Sequence, residues 1–298
     1  MRGRRGKRRG NVRTNTTNHS AVVAEAATMQ QREAKQPVMM ASILRILATI
    51  LIFVFHYRGL EGLPKYPIDK IGIFIFVLIS GYFSFQPHIA PARWFLRRVL
   101  QIMTPYWSVI FVVLVVNAVY GYKDVNFITN IIIFFGGSLF VENPVYVISW
   151  FITYILLLYL CLAVFLSIKY TWTKIFFLFL CGAFFVDNGI GNVYYFIGFF
   201  LGFFINKFFK NKLHSKHNNN IFRIINVYLY KIQNHSYSFF LIHGGVLKLV
   251  FNIFLFNGML ALILSFLITS IISVYHKKFS DLCISSINQY FGKYVILR

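Results

Sequence analysis

Two side chains in the first long apolar run are of types that do chemistry. Arg45 and His56 lie within SILRILATILIFVFHYRG, residues 42–59. Eleven positions at about 100° each make three turns plus roughly 20°, so a helix carries both on one face, about 16 Å apart. A guanidinium is a permanent cation that grips anionic groups. An imidazole accepts or gives a proton near neutral pH. The pair suits a reaction that takes a cytoplasmic anionic donor at one end of a helix and does chemistry across the membrane, toward the other. It also reads without chemistry, with Arg45 as the basic flank of a span and His56 as an interfacial residue beside Arg58. Spacing alone leaves both open.

Further candidates lie downstream. In PARWFLRRVLQIMTPYW (91–107), Arg93, Arg97 and Arg98 recur at i, i+4 and i+5 among Trp94, Phe95, Val99 and Leu100. That is an interfacial helix with a basic edge, suited to lipid head groups or to the phosphates of a nucleotide-bearing donor. SYSFFLIHGGV (236–246) puts His243 inside an apolar run, with Tyr237 about two turns earlier. An ionisable group at such a place must face protein or water. In GIFIFVLISGYF (72–83), Ser80 and Gly81 permit close helix packing. Trp150 opens SWFITYILLLYL (149–160) as an interface anchor. No His, Cys or Asp cluster has metal-ligand spacing and no phosphate-cradling glycine loop occurs, so no metal is expected. Glu61, Asp69, Asp124, Glu142 and Asp187 all sit near the ends of apolar runs. An ion-coupled carrier normally holds a carboxylate mid-span.

These residues need elements that hold them in lipid. The chain has 298 residues, 58% hydrophobic and 13% charged. A soluble domain is nearer 45–50% apolar and about 25% charged. The composition predicts an all-α, polytopic transmembrane helical bundle, because apolar runs without alternation are not barrel strands. The runs lie at roughly 42–57, 70–87, 102–120, 126–141, 146–168, 172–186, 191–209, 237–256 and 258–276, which gives about 8–10 spans. Residues 126–141 and 172–186 are short for a crossing. Residues 206–235 read as a polar loop with a short amphipathic helix at 221–232, and 277–298 as an interfacial tail. Cys161 and Cys181 fall in apolar runs as buried thiols, and three cysteines make no disulfide framework.

Residues 1–40 differ in kind. They hold seven Arg and two Lys against Glu25 and Glu33, with no Phe, Trp or Tyr. The segment has no apolar face and reads as a disordered basic extension, on anionic lipid or simply appended ahead of a start at Met39 or Met40. Its charge places the N-terminus in the cytoplasm. With 126–141 re-entrant or peripheral, the loops at Lys169, Lys174, 207–216 and Lys277–Lys278 fall inside as well, which favours eight full crossings. The working domain is then 41–276.

Taken in order, these segments resemble the acyltransferase-3 family of integral membrane acyltransferases. The spacing from Arg45 to His56 is similar to that family's opening motif. GIFIFVLISGYF resembles its second-span signature, RWFLRRVLQIMTPYW its double-arginine loop, SWFITYILLLYL its Trp-Phe span and SYSFFLIHGGV its late Ser-Tyr to His span. The likeness covers about 42–256. Phe74 and Ile155 stand where many members carry an acid, so no role for those acids is expected here.

The resemblance implies a bacterial inner-membrane enzyme that moves an acyl group, most often acetyl, from cytoplasmic acetyl-CoA to a hydroxyl of a cell-surface polysaccharide or its lipid-linked precursor. On that reading His56 and Arg45 are the catalytic pair. Arg93, Arg97 and Arg98 hold the donor phosphates, with Ser80 and Tyr82 lining the donor path. Trp150, Tyr237 and His243 support the site or orient the acceptor. Membrane lipid, acyl-CoA and a carbohydrate are the expected partners, with no nucleic acid. A neutral imidazole is required, so activity should fall as the pH drops through the imidazole range. The alternatives are a transporter-like protein of glycan export, which would need a repeated half and mid-span charge, and a non-catalytic scaffold recruiting through its basic tail.

Overall fold

The computed structural model describes residues 39–298 apart from 65, 85–88, 122, 124–125, 143, 188–192, 214–219, 253 and 293–298. The basic extension expected over 1–40 therefore lies almost wholly outside the described residues. Those residues form nine α-helices and no strand, in the order α1 Met39–Leu60, α2 Ile68–Tyr82, α3 Pro91–Tyr120, α4 Phe127–Phe134, α5 Ser149–Ser167, α6 Thr171–Asp187, α7 Val193–Leu213, α8 Asn220–Asn252 and α9 Gly258–Gly292. Four helical stretches, Met39–Leu60, Pro91–Tyr120, Ser149–Ser167 and Gly258–Ile287, are long and apolar enough to cross a bilayer. Thr171–Val186 and Val193–Phe208 are shorter apolar helices. The protein is a multi-pass membrane bundle.

Local chemistry sets several boundaries. Pro91 opens α3 where a missing N–H costs nothing. Gly121 closes it at φ 62°, a left-handed cap whose N–H donates to Asn117 O. Asn126 caps α4 by accepting from the Thr129 N–H at 2.7 Å. α4 has eight residues, about 12 Å, against a hydrocarbon core of about 30 Å. It cannot cross, which fits the peripheral or re-entrant expectation for 126–141.

Two expected boundaries move. Residues 221–232 are not a separate short helix but the first turns of α8, which runs unbroken to Asn252. Residues 277–292 likewise continue α9 rather than leave it as a tail. Neither stretch contains proline. Of the polar groups in the expected loop, Gln233 is buried while Lys231 and Asn234 stay exposed on the helix, and just beyond it Ser236 donates to Gln233 O at 2.6 Å. In α9, Lys277 pairs with Asp281 one turn on.

Close packing fixes α2 in the middle. A Cβ on Gly81 would lie 1.9 Å from Phe199 O, and one on Gly202 1.9 Å from Leu78 O. Glycine at both places lets the α2 and α7 backbones touch. On its other side α2 meets α1, where a Cβ on Gly72 would lie 2.9 Å from Ile52 Cγ1. A large core joins α2, α3, α5 and α7, and a smaller one gathers Phe53, Tyr57, Phe239, Val246, Leu247, Val250 and Ala261 from α1, α8 and α9. Rings of α2, α5 and α8 link them, with Phe76 5.6 Å and Phe151 5.1 Å from Phe240.

Candidate functional site

At the N-terminal end of α1 the Arg45 guanidinium stands 5.3 Å from the centre of the Phe83 ring, just past α2. Arg98 of α3 reaches the same residue by another route, donating from Nη2 to Phe83 O at 2.6 Å. Its guanidinium also lies 5.9 Å from the ring centres of Trp94 and Tyr159. Cation-π contact of this kind holds a guanidinium without neutralising it. The groups that act electrostatically on Arg45 are Tyr159, Arg98 and Tyr230. Both cations thus meet at Phe83, Arg98 through its carbonyl and Arg45 through its ring. Among the described residues the one ion pair is Lys277–Asp281, so no carboxylate neutralises Arg45 or Arg98 there.

Arg97 is half-buried and its Nε is enclosed with no hydrogen-bond partner. Arg93 is exposed. The double-arginine segment therefore splits: Arg98 turns inward beside Arg45, Arg97 stands at the boundary, and Arg93 faces outward. Tyr82 ends α2 next to Phe83, with their rings 5.2 Å apart. Ser80 is buried and donates to Phe76 O at 2.8 Å, a bond inside its own helix. That bond and the glycine beside it serve helix packing.

Ten residues of helix separate this anion-suited end from the imidazole end. His56 does not stand alone. The His243 ring of α8 lies 5.2 Å from it, centre to centre, tilted by 51°. His243 is 1% exposed. Its Nδ1 lies 2.6 Å from Phe240 O. A carbonyl can only accept, so Nδ1 carries the proton, and in the neutral ring Nε2 holds the lone pair. That Nε2 is buried with no hydrogen-bond partner. Phe239 stacks on the ring at 6.4 Å and Phe53 meets it edge-on at 6.2 Å.

Two supports come from other helices. Tyr237 of α8 donates to Ile102 O at 3.0 Å, near Pro105, where a proline inside α3 loosens the carbonyl ladder. The Tyr146 hydroxyl donates to Leu241 O, and a Cβ on Gly244 would strike Ile148 Cδ1 at 2.5 Å. The stretch before α5 is thereby pressed on the turn of α8 that carries His243. Trp150 is half-buried against Phe151 and Tyr154 of its own helix.

An apolar cavity of about 260 Å³ lies between α1, α8 and α9, lined in part by Ile46, Thr49, Ile232, His235, Phe239 and Phe266. It follows α1 upward from the level of Arg45 and ends at Phe239, the ring stacked on His243. It opens about a quarter turn around α1 from the Arg45–His56 face.

The structure thus brings together Arg45 with Arg98, and His56 with His243. Arg93 is exposed one turn before Arg97, and Trp150 packs on Phe151 and Tyr154. Sequence reasoning missed Phe83 and Tyr159. Both look like ordinary aromatics of a span, and their one signal is a place beside an arginine once α2, α3 and α5 are packed.

Comparison with known proteins agrees with the sequence likeness over most of its length. The acyltransferase-3 family model, described as an acyltransferase domain, matches residues 42–230, more than half of the chain. The match takes in Arg45, His56 and the three arginines of α3 and stops before His243. No curated protein matches the chain, and no solved structure does.

Proposed function

Since the chain belongs to the acyltransferase-3 family, we propose that this membrane acyltransferase moves acetyl from cytoplasmic acetyl-CoA to a hydroxyl of a cell-surface polysaccharide or its lipid-linked precursor. One observation carries the reading: the two ends of a single helix offer an unneutralised guanidinium pair, Arg45 with Arg98, and an imidazole pair, His56 with His243. Phosphates suit the first end and a hydroxyl acceptor suits the second.

Arg45 and Arg98 hold the donor's phosphates, with Arg97 beside them at the boundary. The cavity along α1 suits the uncharged arm of the donor, because its wall is almost wholly apolar and it leads toward the histidines. His56 takes the proton of the acceptor hydroxyl as the oxygen attacks the acetyl carbonyl. The new C–O bond forms, the C–S bond breaks, and the His56 imidazolium returns its proton to the departing thiolate. Ester and free thiol are the products, and the enzyme ends in its starting state. A cytoplasmic N-terminus of α1 and a bacterial inner membrane complete the proposal.

His56→Ala tests it. Mass spectrometry of surface glycan from cells with the intact protein should show an added acetyl mass. The His56→Ala variant and cells without the protein should both lack it, while the variant inserts in the membrane at the normal level. Normal acetylation by the variant would overturn the mechanism.

A further inference from the structure

Three helices each place a polar side chain against the C-terminal end of α2. Arg45 comes from α1 and Arg98 from α3. The third is Asn206 of α7, whose Nδ2 donates to Tyr82 O. It belongs to an apolar stretch of helix and is 7% exposed. We propose that Asn206 is a donor-binding residue: its Oδ1 accepts an N–H of the acyl donor, from the adenine amino group or an amide of the pantetheine arm, a role that rests on the acyl-CoA reading of this end.

Capping of α2 explains only half of this side chain. The last carbonyls of an α-helix have no partner inside it. Here each one from Ile79 to Phe83 has a donor. The Phe83 N–H serves Ile79 O and the Ser84 N–H serves Gly81 O, both at 3.0 Å. The Ser84 hydroxyl serves Ser80 O at 2.6 Å, Asn206 serves Tyr82 O and Arg98 serves Phe83 O. Asn206 meets that need with Nδ2 alone. A carbonyl only accepts, so the amide nitrogen is the atom turned to it, and Oδ1 is the atom left over. Oδ1 is buried with no hydrogen-bond partner. An unpaired buried acceptor costs at least what an ordinary hydrogen bond returns. A cap alone therefore gives asparagine no net advantage there, and the spare acceptor calls for a partner that arrives with a ligand.

Place and chemistry name the ligand. Phe83, the residue after Tyr82, is where Arg45 and Arg98 meet. Oδ1 thus belongs to the side chain that holds the neighbouring carbonyl. Exposed Lys207 and Phe208 follow Asn206, and Tyr82 is half-buried, which puts the oxygen at the rim of the bundle rather than at its centre. An acyl-CoA carries N–H groups on both sides of its diphosphate, the adenine amino group on one and the pantetheine amides on the other. Its phosphates and thioester carry none, so an acceptor beside the guanidiniums reads the parts of the donor that the guanidiniums do not. Arg97 leaves the complementary group on the double-arginine segment, an enclosed Nε with no acceptor. No bond is made or broken at Asn206.

The test measures equilibrium binding of labelled acetyl-CoA to the purified full chain in detergent, displaced by two analogues. One lacks the exocyclic amino group of adenine, and the other is N-methylated at both pantetheine amides. Each is measured on the wild type, on Asn206→Leu and on the smaller Asn206→Ala, with protein that elutes as the wild type does. On the wild type, one analogue should bind about tenfold or more weakly than acetyl-CoA, because it leaves Oδ1 unpaired. Which analogue does so identifies the N–H. On both variants that analogue and acetyl-CoA should bind within about twofold of each other, since the partner of the missing group is gone. A residue that only caps α2 would weaken every ligand alike and leave their ratio at the wild-type value. No discrimination by the wild type, or the same discrimination by the variants, would overturn the proposal and leave the acyl-CoA reading standing. A wild type that binds no acetyl-CoA would overturn both.

Discussion

Arg98 makes two demands that few other residues could meet together. It donates to Phe83 O, beside the ring that holds Arg45, while its own guanidinium lies against Trp94 and Tyr159. On the proposed reading, removing it takes from a donor phosphate a charge-assisted hydrogen bond worth about 1.5–3 kcal/mol, or roughly 10- to 100-fold in an equilibrium constant. Arg98→Ala is therefore expected to raise KM for acetyl-CoA by about that factor with a smaller effect on kcat. Arg98→Lys should not restore it, because a lysine cannot bond a carbonyl and stack on Trp94 and Tyr159 at once. A labelled acetyl-CoA titration on isolated membranes checks both. The Arg45 and His56 relation was legible in the sequence because helical period alone puts positions eleven apart on one face. The contact between His56 and His243 was not, since nothing local encodes how α1 meets α8. The same holds for Phe83 and Tyr159, which take on meaning only where three helices meet.

Among the elements, α2 is the one with least room for change. Its backbone touches α7 at Gly81 and Gly202, and a single methyl at Gly81 would have to displace Phe199 O. Backbone cannot give way as a flexible side chain does. Gly81→Ala is expected to destabilise the bundle by about 1–3 kcal/mol or more, seen as a lower Tm in detergent. Ser80 beside it, bonded within its own helix, should tolerate alanine far better. The sequence showed that small residues at 80–81 permit close packing, and that 126–141 is too short to cross. It misjudged α8 and α9, because a stretch rich in Asn and Lys resembles a loop although nothing in it breaks a helix, and most of 224–232 stays exposed along the helix that forms.

For the whole molecule, the direction of α1 decides everything. If its N-terminus is cytoplasmic, Arg45, Arg97 and Arg98 face the side where acetyl-CoA is made, and His56 faces the side where the glycan is. In a cysteine-free background, Leu63→Cys, just past α1, should react with a membrane-impermeant maleimide on intact cells. Ala92→Cys, at the start of α3, should react only after permeabilisation. The reverse pattern would invert the proposed roles of the two ends. Both positions are exposed, so labelling at each reports sidedness rather than burial.

The Glu61 carboxylate, one residue past α1, accepts the N–H of Gly258 at the head of α9. The first described helix is thereby tied to the last. His56 and His243 stand 187 positions apart in the chain. At about 5–20 residues per second the ribosome takes roughly 10–40 s to pass from one to the other. Throughout that interval α1 is already in the bilayer with neither its imidazole partner nor its latch. A chain that ends between residues 230 and 242 keeps every residue of the matched domain and still lacks His243. If the acyl-transfer proposal holds, a partly made copy without that pair consumes no acyl donor.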